Sequence, residues 1–75
     1  MEFRQLHTFI QAAQLQSFSR AAVQLGYSQS AVTVQIRMLE KELGTRLFDR
    51  MGKQVVLTPQ GKKFLMHANT TLYEV

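Results

Sequence analysis

SQSAVTVQIRMLEKEL, residues 28–43, carries apolar side chains at Val32, Ile36, Leu39 and Leu43, spaced i, i+4, i+7 and i+11. That spacing predicts one face of an α-helix that must pack against the rest of the chain. At 100° per residue, Ser30, Thr33, Val34, Arg37 and Lys41 fall on the opposite face, with Gln29 and Glu40 at its edge. Glutamine, serine, threonine and arginine near a helix N-terminus suit the reading of base edges and phosphates. The polar face of this helix is therefore where contact with DNA is expected.

The 75 residues allow one domain with a thin core, for which burial against a second chain would be useful. Nine Lys and Arg against five Asp and Glu give a net charge of +4, which favours an anionic partner such as nucleic acid. The excess lies in residues 28–63, which hold Arg37, Lys41, Arg46, Arg50, Lys53, Lys62 and Lys63 against Glu40, Glu42 and Asp49. Without cysteine there are no disulfides or thiolate metal sites, and His7 and His67 are too few for a zinc site. There is no apolar run of membrane-spanning length and no signal-peptide pattern after Met1, so a soluble, cytoplasmic protein is expected.

Upstream of the central stretch, Phe3, Leu6, Phe9, Ile10 and Ala13 predict a core helix over 2–15 with His7 on its surface. Ser17 can cap a short second helix in which Phe18, Ala21, Ala22 and Leu25 share a face, and Gly26 can end it in a left-handed conformation. Ser28 then caps the third helix. A short helix, a tight turn and a longer polar-faced helix form a helix-turn-helix, with Ala21 and Ala22 small enough for close crossing.

Gly44 closes the third helix and the period changes. Leu47-Phe48 and Val55-Val56-Leu57 read as two strands joined by a tip over 49–54, a two-stranded wing spanning 47–57. Arg50 and Lys53 on or beside that tip would lie near the DNA backbone or minor groove; the other reading is a solvated loop with ordinary charges. Thr58 as N-cap and Pro59 at the first position start a last helix. In it Gly61, Leu65, Ala68, Leu72 and Val75 follow coiled-coil spacing, widened by Phe64. Its first part can pack on the wing and first helix, and the later part is expected to be a dimer seam.

The residues Phe18-Ser19-Arg20-Ala21-Ala22, Leu25, Ser28-Gln29-Ser30-Ala31-Val32-Thr33, Gln35-Ile36, Leu39-Glu40, Leu43-Gly44, Leu47-Phe48-Asp49-Arg50 and Leu57-Thr58-Pro59-Gln60-Gly61 make a pattern covering essentially the whole chain. It closely resembles the N-terminal domain of LysR-type transcriptional regulators, a bacterial family. The resemblance implies a mainly α winged helix-turn-helix over 1–58, three helices plus a two-stranded wing, followed by a long linker and dimerisation helix from 59 to 75. It implies binding of double-stranded DNA at interrupted promoter palindromes as a homodimer. It further implies a longer parent protein, commonly tetrameric, whose C-terminal domain senses a small-molecule effector; no cofactor is expected in this chain.

By position, the resemblance places base reading on Gln29, Ser30, Thr33 and Val34 beside the cap Ser28, backbone contact on Arg37, and wing contact on Arg50 and Lys53. It implies dimerisation through the last helix, where the coiled-coil spacing marks Gly61, Phe64, Leu65, Ala68, Leu72 and Val75. Two positions depart from the common pattern, which often has proline at Ser30 and arginine at Val34. Loss of that arginine removes a contact to guanine or phosphate. Val34 can instead pack against a thymine methyl, or merely border the second helix. A winged-helix module for protein assembly is the alternative function. An enzyme is not expected, because no nucleophile and base, paired carboxylates, phosphate loop or metal cluster can be assembled from these residues.

Overall fold

The computed structural model describes residues 2–73, with side chains through Thr70. Its elements run α1 (Phe3–Leu15), α2 (Phe18–Leu25), α3 (Gln29–Leu43), β1 (Phe48–Met51), β2 (Gln54–Leu57) and α4 (Pro59–Tyr73). This is the expected winged helix-turn-helix order, and the helix boundaries follow local capping chemistry. Ser17 Oγ accepts from Arg20 N–H, and Ser28 Oγ accepts from Ala31 N–H, each at 3.1 Å. Those bonds satisfy one of the amides that every helix start leaves unpaired.

The turn between α2 and α3 depends on Gly26, whose φ of 75° lies in the left-handed region. Gly26 N–H donates to Val23 C=O and Tyr27 N–H to Ala22 C=O, closing α2 with a Schellman pair. The same pattern recurs at Gly44, where Gly44 N–H meets Lys41 C=O and Thr45 N–H meets Glu40 C=O. A residue with a Cβ in either place would be strained, so both reversals rest on glycine.

The core gathers one face from each helix: Leu6, Phe9, Ile10 and Ala12 of α1, Ala21 and Ala22 of α2, Val32, Ile36 and Leu39 of α3. Leu47, Phe48, Val55 and Ala68 complete it. Four rings link separate elements in a row: Phe64 stands 5.2 Å from Phe9, Phe9 5.4 Å from Phe48, and Phe48 5.3 Å from Phe18. Their tilted and edge-on geometries are the favoured ones for aromatic pairs. Phe3, which shares the α1 spacing, is instead 69% exposed in the first turn of that helix.

The wing differs from the six-residue tip expected over 49–54. β1 and β2 pair antiparallel in the register Phe48↔Leu57 through Met51↔Gln54, leaving only Gly52 and Lys53 to turn the chain. Gly52 has a φ of 62°, and glycine at the first central position is what a two-residue hairpin loop of the II′ kind requires. Arg50 therefore lies on β1 opposite Val55, and Lys53 alone of the two cations sits in the turn.

The stripe assigned to dimerisation is largely used within the chain. Gly61 is buried and Ala68 is 1% exposed, while Phe64 and Leu65 are half-buried against the core. The cause is the seating of α4 on α1 and β2, which brings the α4 backbone at Gly61 against Leu47 C=O. The helical spacing located an apolar face correctly but could not say which surface covers it. The Leu72 side chain and Val75 lie outside the described residues.

Candidate nucleic-acid interface

α3 is anchored from behind and open in front. Val32, Ile36 and Leu39 are buried, and Thr8 Oγ1 on α1 donates to Gln35 Oε1 at 2.6 Å, a side-chain bond that fixes the helix about its own axis. Ser28, Gln29, Ser30, Val34, Arg37 and Lys41 are exposed, and Thr33 is half-buried. Thus the residues expected on the reading face are brought to one surface, with Thr33 at its margin toward the wing. Val34 is 53% exposed on this surface.

The wing is held beside this surface by bonds at three levels. At its base, Glu40 Oε2 accepts from Leu47 N–H at 2.7 Å and Phe48 N–H at 3.4 Å, tying the last turn of α3 to the start of β1. Further along, Val55 N–H donates to Gln16 C=O at 3.1 Å, fastening β2 to the corner between α1 and α2. Where the wing meets α4, Thr58 N–H donates to Leu47 C=O at 3.0 Å. Thr58 Oγ1 donates to Arg46 C=O at 2.6 Å and accepts from Gly61 N–H at 2.9 Å. Among the described residues no buried side-chain nitrogen or oxygen is left without a partner.

Between α3 and the wing runs a shallow cleft of about 130 Å³ whose lining includes Thr33, Arg37, Glu40, Arg46, Asp49 and Arg50. Both carboxylates there are already engaged: Glu40 by the two amides, and Asp49 by Arg46 at 3.4 Å. Arg46 also donates to Phe48 C=O at 3.1 Å. Arg37 and Arg50 have no carboxylate partner among the described residues, so the cleft presents two unneutralised guanidinium groups on facing walls. Guanidinium pairs with phosphate bidentately, and it keeps its charge at any physiological pH. Lys53 is exposed in the turn at the end of the hairpin.

Arg46 and the wing-anchoring role of Glu40 were not evident from sequence. A signal for Glu40 existed: an acid in the last turn of a helix opposes the dipole there, so its presence asks for a compensating donor. We expect Glu40→Ala to lower stability by about 1–3 kcal/mol, because Leu47 N–H is buried and would lose its acceptor. Glu40→Gln retains an acceptor oxygen and should lose less than half as much. Thermal melts of both variants, with hydrogen exchange at the Leu47 amide, check this; equal losses would mean that packing, not acceptance, is what Glu40 provides.

A helix-turn-helix followed by a wing, with these spacings, is matched over residues 3–62 by the model of the bacterial regulatory helix-turn-helix proteins of the lysR family. The chain belongs to the LysR family. Among curated relatives of this LysR-family domain, the HTH-type transcriptional regulator CitR of Bacillus subtilis is 46% identical over 68 residues, which is 91% of this chain and 23% of CitR. The uncharacterized HTH-type regulator YwqM of the same organism is 52% identical over the same share of each chain. The chain thus spans about a quarter of the length of the curated relatives it matches. Among solved structures, a CbnR_DBD–DNA complex matches with a TM-score of 0.92 at 40% identity, covering 96% of this chain and 83% of that one. A complex of BenM_DBD with benA site 1 DNA matches at 0.91 and 39%, covering 96% and 84%. No helix among the described residues of this LysR-family domain is long and apolar enough to cross a membrane.

Proposed function

We propose that this chain is the sequence-specific DNA-binding part of a LysR-type transcriptional regulator of the cytoplasm, with α3 in the major groove and the wing against the backbone or minor groove. The observation that carries this reading is the division of α3: one row buried, and an exposed opposite row of Ser30, Val34 and Arg37 with Gln29 at its edge, beside a cleft with two arginines that have no carboxylate partner among the described residues. Likeness to CbnR and BenM domains complexed with DNA supports it. Gln29 and Ser30, in the first turn, are the base readers, joined by Thr33 and Val34; Arg37, Arg50 and Lys53 hold phosphates, and no catalytic step is assigned to the chain.

The proposal extends to two copies on two half-sites of a promoter palindrome, since two-fold protein symmetry matches two-fold operator symmetry. With Gly61 and Ala68 turned inward, pairing falls to the later part of the same stripe, which Leu72 and Val75 continue in the sequence. A larger parent assembly and a small-molecule effector would belong to sequence beyond the matched quarter.

Gel-shift titration of selected and random duplex at several salt concentrations tests the reading. Affinity should fall with a log–log slope of roughly −0.9 for each phosphate neutralised. Gln29→Ala should relax preference at one base pair by about 1–3 kcal/mol, whereas Lys53→Ala should weaken all duplexes nearly alike. A flat salt response would instead leave the basic surface as part of a protein-assembly module.

A further inference from the structure

We infer that Val34 is a specificity-determining residue that selects a pyrimidine bearing a 5-methyl group, thymine in ordinary DNA, in each half-site; this rests on the DNA-binding reading above. Val34 lies in the second turn of α3, one turn after Ser30 and on the same exposed face as Arg37. It is a branched apolar group left 53% exposed among polar neighbours. It is not among the buried or half-buried apolar residues that form the core.

The side chain has no donor and no acceptor. Opposite guanine N7 and O6, or adenine N7, it would strip water from an acceptor and put nothing in its place, which is penalised. Opposite a thymine C5-methyl the same burial removes two apolar surfaces from water at once. The β-branch holds χ1 largely in one rotamer, so little side-chain freedom is lost on contact. The selection is therefore as much a rejection of purine edges as an attraction to the methyl, and it operates in the major groove, where that methyl is displayed.

The experiment starts by selecting sites for the wild-type chain from a random duplex pool. Each thymine of the selected half-site is then replaced in turn by deoxyuridine, which removes the methyl and leaves every hydrogen-bonding group in place. One position should lose about fourfold in affinity, the effect of one buried methyl-sized group. At that position 5-methylcytosine should bind better than cytosine by a similar factor. Val34→Ser, an exposed substitution whose fold is checked by circular dichroism, should abolish both differences while leaving the salt slope unchanged. If sites are selected but no thymine shows methyl dependence, or if Val34→Ser retains it, the assignment of Val34 is overturned while the DNA-binding reading stands. If no site is enriched at all, the DNA-binding reading itself has failed and this inference falls with it.

Discussion

Phe9→Ala is expected to lower stability by about 3–5 kcal/mol, the usual loss for truncating a fully buried phenylalanine. Phe9 has no exposed surface, and it touches both Phe48 on β1 and Phe64 on α4. Truncation therefore opens a cavity where α1, the wing and α4 meet, and it removes two ring pairs together. A chain of 75 residues has a total stability of roughly 4–11 kcal/mol, so the loss is a large part of the whole. The melting temperature should fall by about 12–40 °C, given some 4–8 °C per kcal/mol for a domain of this size. Phe9→Leu is closer in volume but also loses both ring pairs, and should cost about 1–3 kcal/mol, less than the alanine variant. Thermal denaturation followed by circular dichroism measures both, and a shift under 5 °C for the alanine variant would show that neighbouring side chains refill the site.

Gly61→Ala provides a test of sign. In an exposed helix this change would stabilise by up to about 1 kcal/mol, because alanine is the better helix former. At Gly61 a Cβ would press on the carbonyl oxygen of Leu47, which is backbone, and would lie 3.0 Å from Leu57 Cδ2. The same carbonyl accepts Thr58 N–H, so the clash cannot be relieved without disturbing the junction of wing and α4. We expect a net destabilisation of about 1–3 kcal/mol, larger for Gly61→Val. Affinity for duplex should fall as well, because the displaced element is the base of the wing. A stabilised Gly61→Ala would mean that α4 does not approach Leu47 this closely.

Much of the fold was legible because it is locally determined. Val32, Ile36 and Leu39 announce their helix by spacing, and Ser17, Gly26, Ser28 and Gly44 mark helix ends with side chains or conformations whose preferences act over a few residues. The reading face of α3 followed from the same periodicity, since fixing the buried row fixes the opposite one.

What escaped the sequence depends on contacts formed at a distance. The strand Phe48-Asp49-Arg50-Met51 buries only its first residue, so it lacks the alternation that would have shortened the expected tip. Glu40 gains its amide partners only after the reversal at Gly44 returns Leu47 to the end of α3. Gly61, Phe64, Leu65 and Ala68 form an apolar row by spacing, and spacing is silent on whether such a row meets its own domain or another copy. The cleft with Arg37 and Arg50 on facing walls required the wing's position, which no local rule supplies.

The Phe9–Phe64 contact also sets a clock. The ribosome delivers α1 first, and 55 residues separate Phe9 from the ring that covers it, 64 minus 9. At 5–20 residues per second, roughly 3–11 s of synthesis separate the two rings. The helix-turn-helix is complete in sequence at Leu43, yet at that moment neither Phe48 nor Phe64 has been made. The packing that Phe64 and Ala68 of α4 add to this core is therefore its last part to be synthesised.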